Sequence, residues 1–139
     1  MRSPKAIAAL GAALLLTAFA VACADTSEVS GPDSLRLDEW SIELGSPEQA
    51  AGTITLQVQN VGTMEHEVIL IRTTLEPDKL PQQSGTVNLS GLDVVGRKDG
   101  IERREKTTLE ASLTPGSYVF ICNLSGHYAL GMRAGLVVK

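Results

Sequence analysis

Residues 114–138 read TPGSYVFICNLSGHYALGMRAGLVV. Thr114-Pro115-Gly116 is a turn, with proline fixing φ and glycine accepting a positive φ. Tyr118-Val119-Phe120-Ile121-Cys122 is the strongest strand signal in the chain, a glycine-punctuated loop follows from Asn123 to Gly135, and Leu136-Val137-Val138 closes as a terminal strand. Working back from this stretch, Leu109, Ala111 and Leu113 alternate with polar residues. His66-Glu67-Val68-Ile69-Leu70-Ile71 is a strand apolar on both faces except at its start, and Ile54, Leu56 and Val58 alternate with Thr and Gln. Leu35 and Leu37, then Trp40, Ile42 and Leu44, supply two more runs before the Gly45-Ser46-Pro47 turn. Alternation with period two marks strands that lay one face on a core. The stretch 72–106, interrupted by Pro77, Pro81, Gly85, Gly91, Gly96 and Gly100, reads as long loops with a short strand and a helical turn. The expectation is an all-β fold of about six to eight short strands, a small Greek-key sandwich or barrel.

Composition narrows the chemistry. The chain has 139 residues, enough for one domain of roughly 100 to 200 residues and too few for a multidomain enzyme. Aromatic residues make up only 4%, so the core is aliphatic. With two Cys and two His, the chain cannot build a three-histidine zinc site, a four-cysteine ribbon or a multinuclear cluster. Any metal site is mononuclear.

The first 22 residues read as an export signal: Arg2 and Lys5 are followed by an Ala-rich apolar run from Ala6 to Ala22 that ends in small residues. Ala20-Val21-Ala22 before Cys23 resembles a bacterial lipobox, which makes Cys23 a lipidated first residue. Ala22-Cys23-Ala24 offers a rival cleavage site after Ala24. The lipoprotein reading is preferred, with 23–34 as a polar tether and 35–139 as the folded, metal-binding domain. Removal of 1–22 leaves 10 Lys and Arg against 16 Asp and Glu, a formal charge of −6. So acidic a domain, without a basic stripe, has no nucleic-acid partner. Cys122 is then the one thiol in the folded part, with no partner for a disulfide.

Cys122, His127 and Met132 lie in one 11-residue loop with four residues between each, and His66 stands at the mouth of another strand. Taken singly, a strand Cys is a small hydrophobe, a Met is core filler and a strand-edge His is a surface residue. Taken together they are one thiolate, two imidazoles and a thioether, the donor set of a blue-copper electron-transfer site with a weak axial Met. Met64, close to His66, is a second candidate for the axial place, and Met132 is preferred because it closes the glycine-flanked loop. Glu65 and Glu67 point to the opposite face of the strand from His66, which argues against a carboxylate site.

At these residues the sequence resembles the cupredoxins, the small blue copper proteins. Tyr118-Val119-Phe120-Ile121-Cys122 followed by Gly126-His127 and Gly131-Met132 is similar to the family's C-terminal copper loop, and Asn60-Val61-Gly62-Thr63-Met64-Glu65-His66 to its upstream N-x-G-x-x-x-H element. The resemblance spans 35–139. It implies His66, Cys122 and His127 as equatorial ligands and Met132 as axial ligand of one type 1 copper ion. Glu67 departs from the Asn or Ser that often follows the first His, which leaves the hydrogen bonding around the thiolate open.

Four protein donors leave no open position for substrate, so the expectation is an electron carrier and no enzyme. Ser125 lacks a free His and a positioned carboxylate for hydrolysis, and Gly126 stands where a binuclear centre needs a second Cys. The alternative is a copper-delivery protein of the same fold. The resemblance further implies a monomer that shuttles electrons between a protein donor and a protein acceptor. The signal and Cys23 place it in the periplasm or on the outer side of the cytoplasmic membrane, held by a lipid anchor. Electron entry is expected at His127, through a surface formed by Leu124, Tyr128, Ala129 and Leu130.

Overall fold

The computed structural model describes residues 27–139. Eleven strands, β1 (Ser34–Asp38), β2 (Ser41–Leu44), β3 (Glu48–Gln49), β4 (Gly52–Asn60), β5 (His66–Arg72), β6 (Gln82–Gln83), β7 (Thr86–Val87), β8 (Asp93–Ile101), β9 (Lys106–Leu113), β10 (Gly116–Ile121) and β11 (Arg133–Val138), are joined by turns and by a single helical turn, α1 (His127–Leu130). Four strands form one sheet in the order β2-β1-β4-β9 and five form another in the order β3-β11-β10-β5-β8, while β6 and β7 make a small hairpin. The architecture is therefore a two-sheet sandwich, and the strands of four residues or more number eight among the described residues.

The alternating residues meet between the sheets. Leu35, Leu37, Leu56, Val58, Leu109, Ala111 and Leu113 from the first sheet pack on Val68, Leu70, Tyr118, Phe120, Leu136 and Val138 from the second. A fully buried aliphatic side chain contributes roughly 1.5–3 kcal/mol, so this interface dominates stability. The other faces of β5 and β10 are covered as well. Ile69, Ile71, Val119 and Ile121 pack beneath Leu80, Val87 and Tyr128, which accounts for strands that are apolar on both sides.

The stretch 72–106 departs from its reading as loops, because it holds the nine-residue strand β8, paired antiparallel with β5 from His66↔Ile101 to Arg72↔Asp93. β8 is an edge strand whose side chains Asp93, Arg97, Lys98 and Asp99 carry charge and lie mostly toward solvent. Its register slips twice against β5, so its apolar residues follow no fixed period. Ahead of β1 the chain is bonded onto the first sheet: Val29 N–H donates to Gln59 Oε1 at 2.8 Å and Gln57 N–H to the Asp33 carbonyl at 2.8 Å. No helix among the described residues is long and apolar enough to cross a membrane.

Candidate metal centre

Two neighbouring strands bring the site together. His66 opens β5, Cys122 directly follows β10, and the antiparallel register Ile121↔Ile69 puts both at the same end of the second sheet. The loop after Cys122 folds back on itself. Cys122 N–H donates to the Met132 carbonyl at 3.1 Å and Met132 N–H to the His127 carbonyl at 3.1 Å, while α1 lies between Gly126 and Gly131, both at positive φ. The loop thus returns to its starting strand with His127 facing inward.

The donor atoms converge. Cys122 Sγ lies 3.3 Å from His127 Nδ1 and 4.0 Å from His66 Nδ1, and the two Nδ1 atoms are 3.3 Å apart. With metal–nitrogen bonds of roughly 2.0–2.1 Å and a metal–sulfur bond of about 2.3 Å, a trigonal arrangement needs nitrogens about 3.5 Å apart and sulfur about 3.8 Å from each. The observed triangle fits one transition-metal ion to within about half an ångström. All three side chains are buried.

A third element closes over them. Glu39, between β1 and β2, sets Oε1 3.1 Å from His66 Nε2. The same carboxylate accepts Thr63 N–H at 2.9 Å and Met64 N–H at 2.8 Å. A carboxylate only accepts, so Nε2 carries the proton and Nδ1 presents its lone pair to Cys122 and His127. Gly62 makes room for this contact: a Cβ there would come within 2.5–2.9 Å of the Glu39 carboxylate. Asn60 braces the turn from inside, its Nδ2 donating to the carbonyls of Met64 and Ile101 and its Oδ1 accepting Gly62 N–H. Trp40 lies edge-on to the His127 ring with centroids 4.9 Å apart, and its carbonyl would sit 2.8 Å from a Cβ on Gly131.

The backbone N–H of Glu67 points at Cys122 Sγ from 3.5 Å. The hydrogen bond around the sulfur is therefore supplied by the main chain, whatever side chain follows His66. The buried Glu67 carboxylate turns away from the donors, accepting Asn123 N–H at 3.1 Å and Arg97 Nη2–H at 2.9 Å. It ties β8 to the residue after Cys122.

Burial sets the protonation of the site. It pushes the Cys122 thiol up, against the N–H groups of Glu67 and Leu124, and holds both imidazoles below their ordinary range, His66 against the pull of Glu39 and His127 with the added repulsion of His66. Burial works to raise the Glu39 carboxyl, but the N–H groups of Met64 and Thr63 together with His66 outweigh it, and the carboxyl stays low. Two neutral imidazoles whose Nδ1 atoms converge on the thiol are ready ligands, and the thiol must lose its proton when a metal binds.

Of the residues named from sequence, His66, Cys122 and His127 come together, and Met132 lies fully buried at the loop's end with its backbone bonded to Cys122 and His127. Met64 is 45% exposed. Cys23 and the export signal lie outside the described residues. Tyr128 does not line an outer surface. It is buried beneath 73–92, its hydroxyl donating to the Pro77 carbonyl at 2.7 Å and accepting Leu80 N–H at 3.0 Å. Sequence reasoning missed Glu39 and Trp40, since neither falls in a ligand-bearing segment.

No family model matches the chain. No curated protein matches its sequence either. Among solved structures it is similar to reduced auracyanin from Roseiflexus castenholzii, at 19% identity over 81% of this chain and 98% of that one, with a TM-score of 0.55. It is equally similar to auracyanin A, a "blue" copper protein of Chloroflexus aurantiacus, at 19% identity over 80% and 98% with a TM-score of 0.55. An azurin from Methylomonas sp. strain J superposes at 14% identity over 81% and 99%, also with a TM-score of 0.55. Identities this low speak for architecture, and together with the two-sheet topology they establish that the chain has the cupredoxin fold.

Proposed function

We propose that the protein is a type 1 blue copper protein that carries single electrons between redox partners. The observation that carries this reading is the buried triangle of Cys122 Sγ, His66 Nδ1 and His127 Nδ1, all within 4.8 Å of one another. Two His, one Cys and a weak axial thioether are the blue-copper donor set, and Met132, buried where Met64 is exposed, is the axial residue. Copper bound there supplies a one-electron Cu(II)/Cu(I) couple. The chain's part is to hold the donors still, since the Glu67 N–H, the Glu39 carboxylate and the closed 122–132 loop fix them before any metal arrives. The buried donors exclude water and leave a substrate no approach, which favours a carrier over an enzyme. Burial also disfavours the delivery-protein reading, because an exchangeable site needs exposed donors.

Partners reach the centre through Trp40. His127 is only 5% exposed, whereas Trp40, in contact with its ring, is 36% exposed. The basic, apolar N-terminus with Cys23 supports export and a lipid anchor on the outer side of the membrane, and the acidic balance fits protein partners over nucleic acid.

One equivalent of Cu(II) added to the purified metal-free protein should give an intense blue band that bleaches on reduction and returns on reoxidation with the copper retained. Cys122→Ser should keep a weaker copper site and lose the band. A colourless parent, or a Ser variant as blue as the parent, would refute the assignment, and rapid loss of copper to a chelator would favour delivery.

A further inference from the structure

The carboxylate of Glu39 accepts from four donors: Thr63 N–H at 2.9 and 3.1 Å, Met64 N–H at 2.8 Å, Thr63 Oγ1 at 3.4 Å and His66 Nε2 at 3.1 Å. Its seat is built into the fold. Gly62 is bare where a side chain would strike the carboxylate, and Trp40, the next residue, presses its carbonyl against Gly131 and its ring against His127. We propose that Glu39 is a positioning residue of the metal centre, locking His66 with its proton on Nε2 and placing a fixed negative charge behind the imidazole that favours the more highly charged metal state. This rests on the proposal that His66 is a copper ligand.

The physical argument has two parts. An imidazole that donates from one nitrogen to a carboxylate is oriented and made a stronger donor at the other nitrogen, and removing such partners typically costs roughly 10–100-fold in metal affinity. The charge acts unequally on the two oxidation states: an anion near the site stabilises Cu(II) more than Cu(I), so the carboxylate lowers the reduction potential. Removing a carboxylate that merely capped Thr63 and Met64 would leave the His66 tautomer as it was.

The test uses the full protein and two variants. Glu39→Gln keeps an acceptor oxygen of the same reach and loses the charge, and Glu39→Ala loses both. In the metal-free parent, nitrogen NMR of the His66 ring should report the Nε2–H form, and Glu39→Ala should give a mixture of tautomers. Loaded with copper, Glu39→Gln should remain blue, bind Cu(II) about tenfold more weakly with Cu(I) affinity little changed, and so show a reduction potential raised by about 59 mV, the equivalent of tenfold for one electron. Equal losses for both oxidation states with an unmoved potential, or an unchanged tautomer in Glu39→Ala, would overturn the proposal while leaving the copper reading intact. A parent that takes up no Cu(II) would overturn both.

Discussion

The indole of Trp40 stands edge-on to the imidazole of His127, ring centroids 4.9 Å apart at 76°, and its backbone carbonyl faces the bare Cα of Gly131. A residue in the turn of the first β-hairpin thus covers a donor carried by the last loop. That indole is itself partly exposed, whereas His127 is buried.

Leu130, 58% exposed, directly precedes Gly131, the residue that the Trp40 carbonyl faces. Leu130→Lys should slow electron exchange with a protein partner several-fold while the visible band keeps its position and intensity. Stopped-flow mixing of the oxidised protein with a reduced partner measures this, and unaltered rates would place docking elsewhere on the surface.

Met132→Leu should remain blue and become the stronger oxidant, because Cu(II) gains more from an additional donor than Cu(I) does and the drier aliphatic site pushes the same way. Met64→Leu, at a half-exposed position, should leave the potential where it was. Protein-film voltammetry of the two variants decides the axial assignment, and a shift in Met64→Leu alone would reverse it.

Gly62→Ala asks whether Glu39 truly needs its seat. The backbone at Gly62 suits any residue, yet the added Cβ would fall within 2.5–2.9 Å of the carboxylate, and crowding of this kind costs about 1–3 kcal/mol. The metal-free variant should melt several degrees below the parent, and equal midpoints would mean that Glu39 swings aside at no cost.

Tyr128→Phe removes the hydroxyl that satisfies the Leu80 N–H and the Pro77 carbonyl under a buried ring. Leaving such groups unpaired costs about 1–3 kcal/mol. Urea unfolding should show a lower midpoint with an unchanged slope, and the blue band should be retained because no donor is touched. Parity with the parent would mean that water replaces the hydroxyl.

Cys23→Ser tests the anchor. Labelled palmitate fed to expressing bacteria should enter the parent and not the variant, which should be released in soluble form or stay unprocessed. An unlipidated mature parent beginning at Asp25 would assign cleavage to the site after Ala24.

Much of this molecule is written locally in the chain. Alternation over 54–58 and 109–113 encodes strands because one face of each meets a core. The unbroken apolar run at 118–121 encodes a strand covered on both sides, and the four-residue spacings among Cys122, His127 and Met132 confine three soft side chains to one loop. These signals survive without tertiary knowledge because they depend on neighbours in sequence. β8 was illegible because its place is held by main-chain hydrogen bonds to β5, which leave no mark on side-chain periodicity when the strand lies at an edge and its register slips. The inward turn of Tyr128 depended on a partner, the backbone of 77–80, nearly fifty residues away. Glu39 and Trp40 were hidden for the same reason. The parallel pairing of β1 with β4 carries the end of the first strand beside the turn that precedes His66, and only that meeting converts an ordinary acidic residue and a lone indole into the wall of a metal centre.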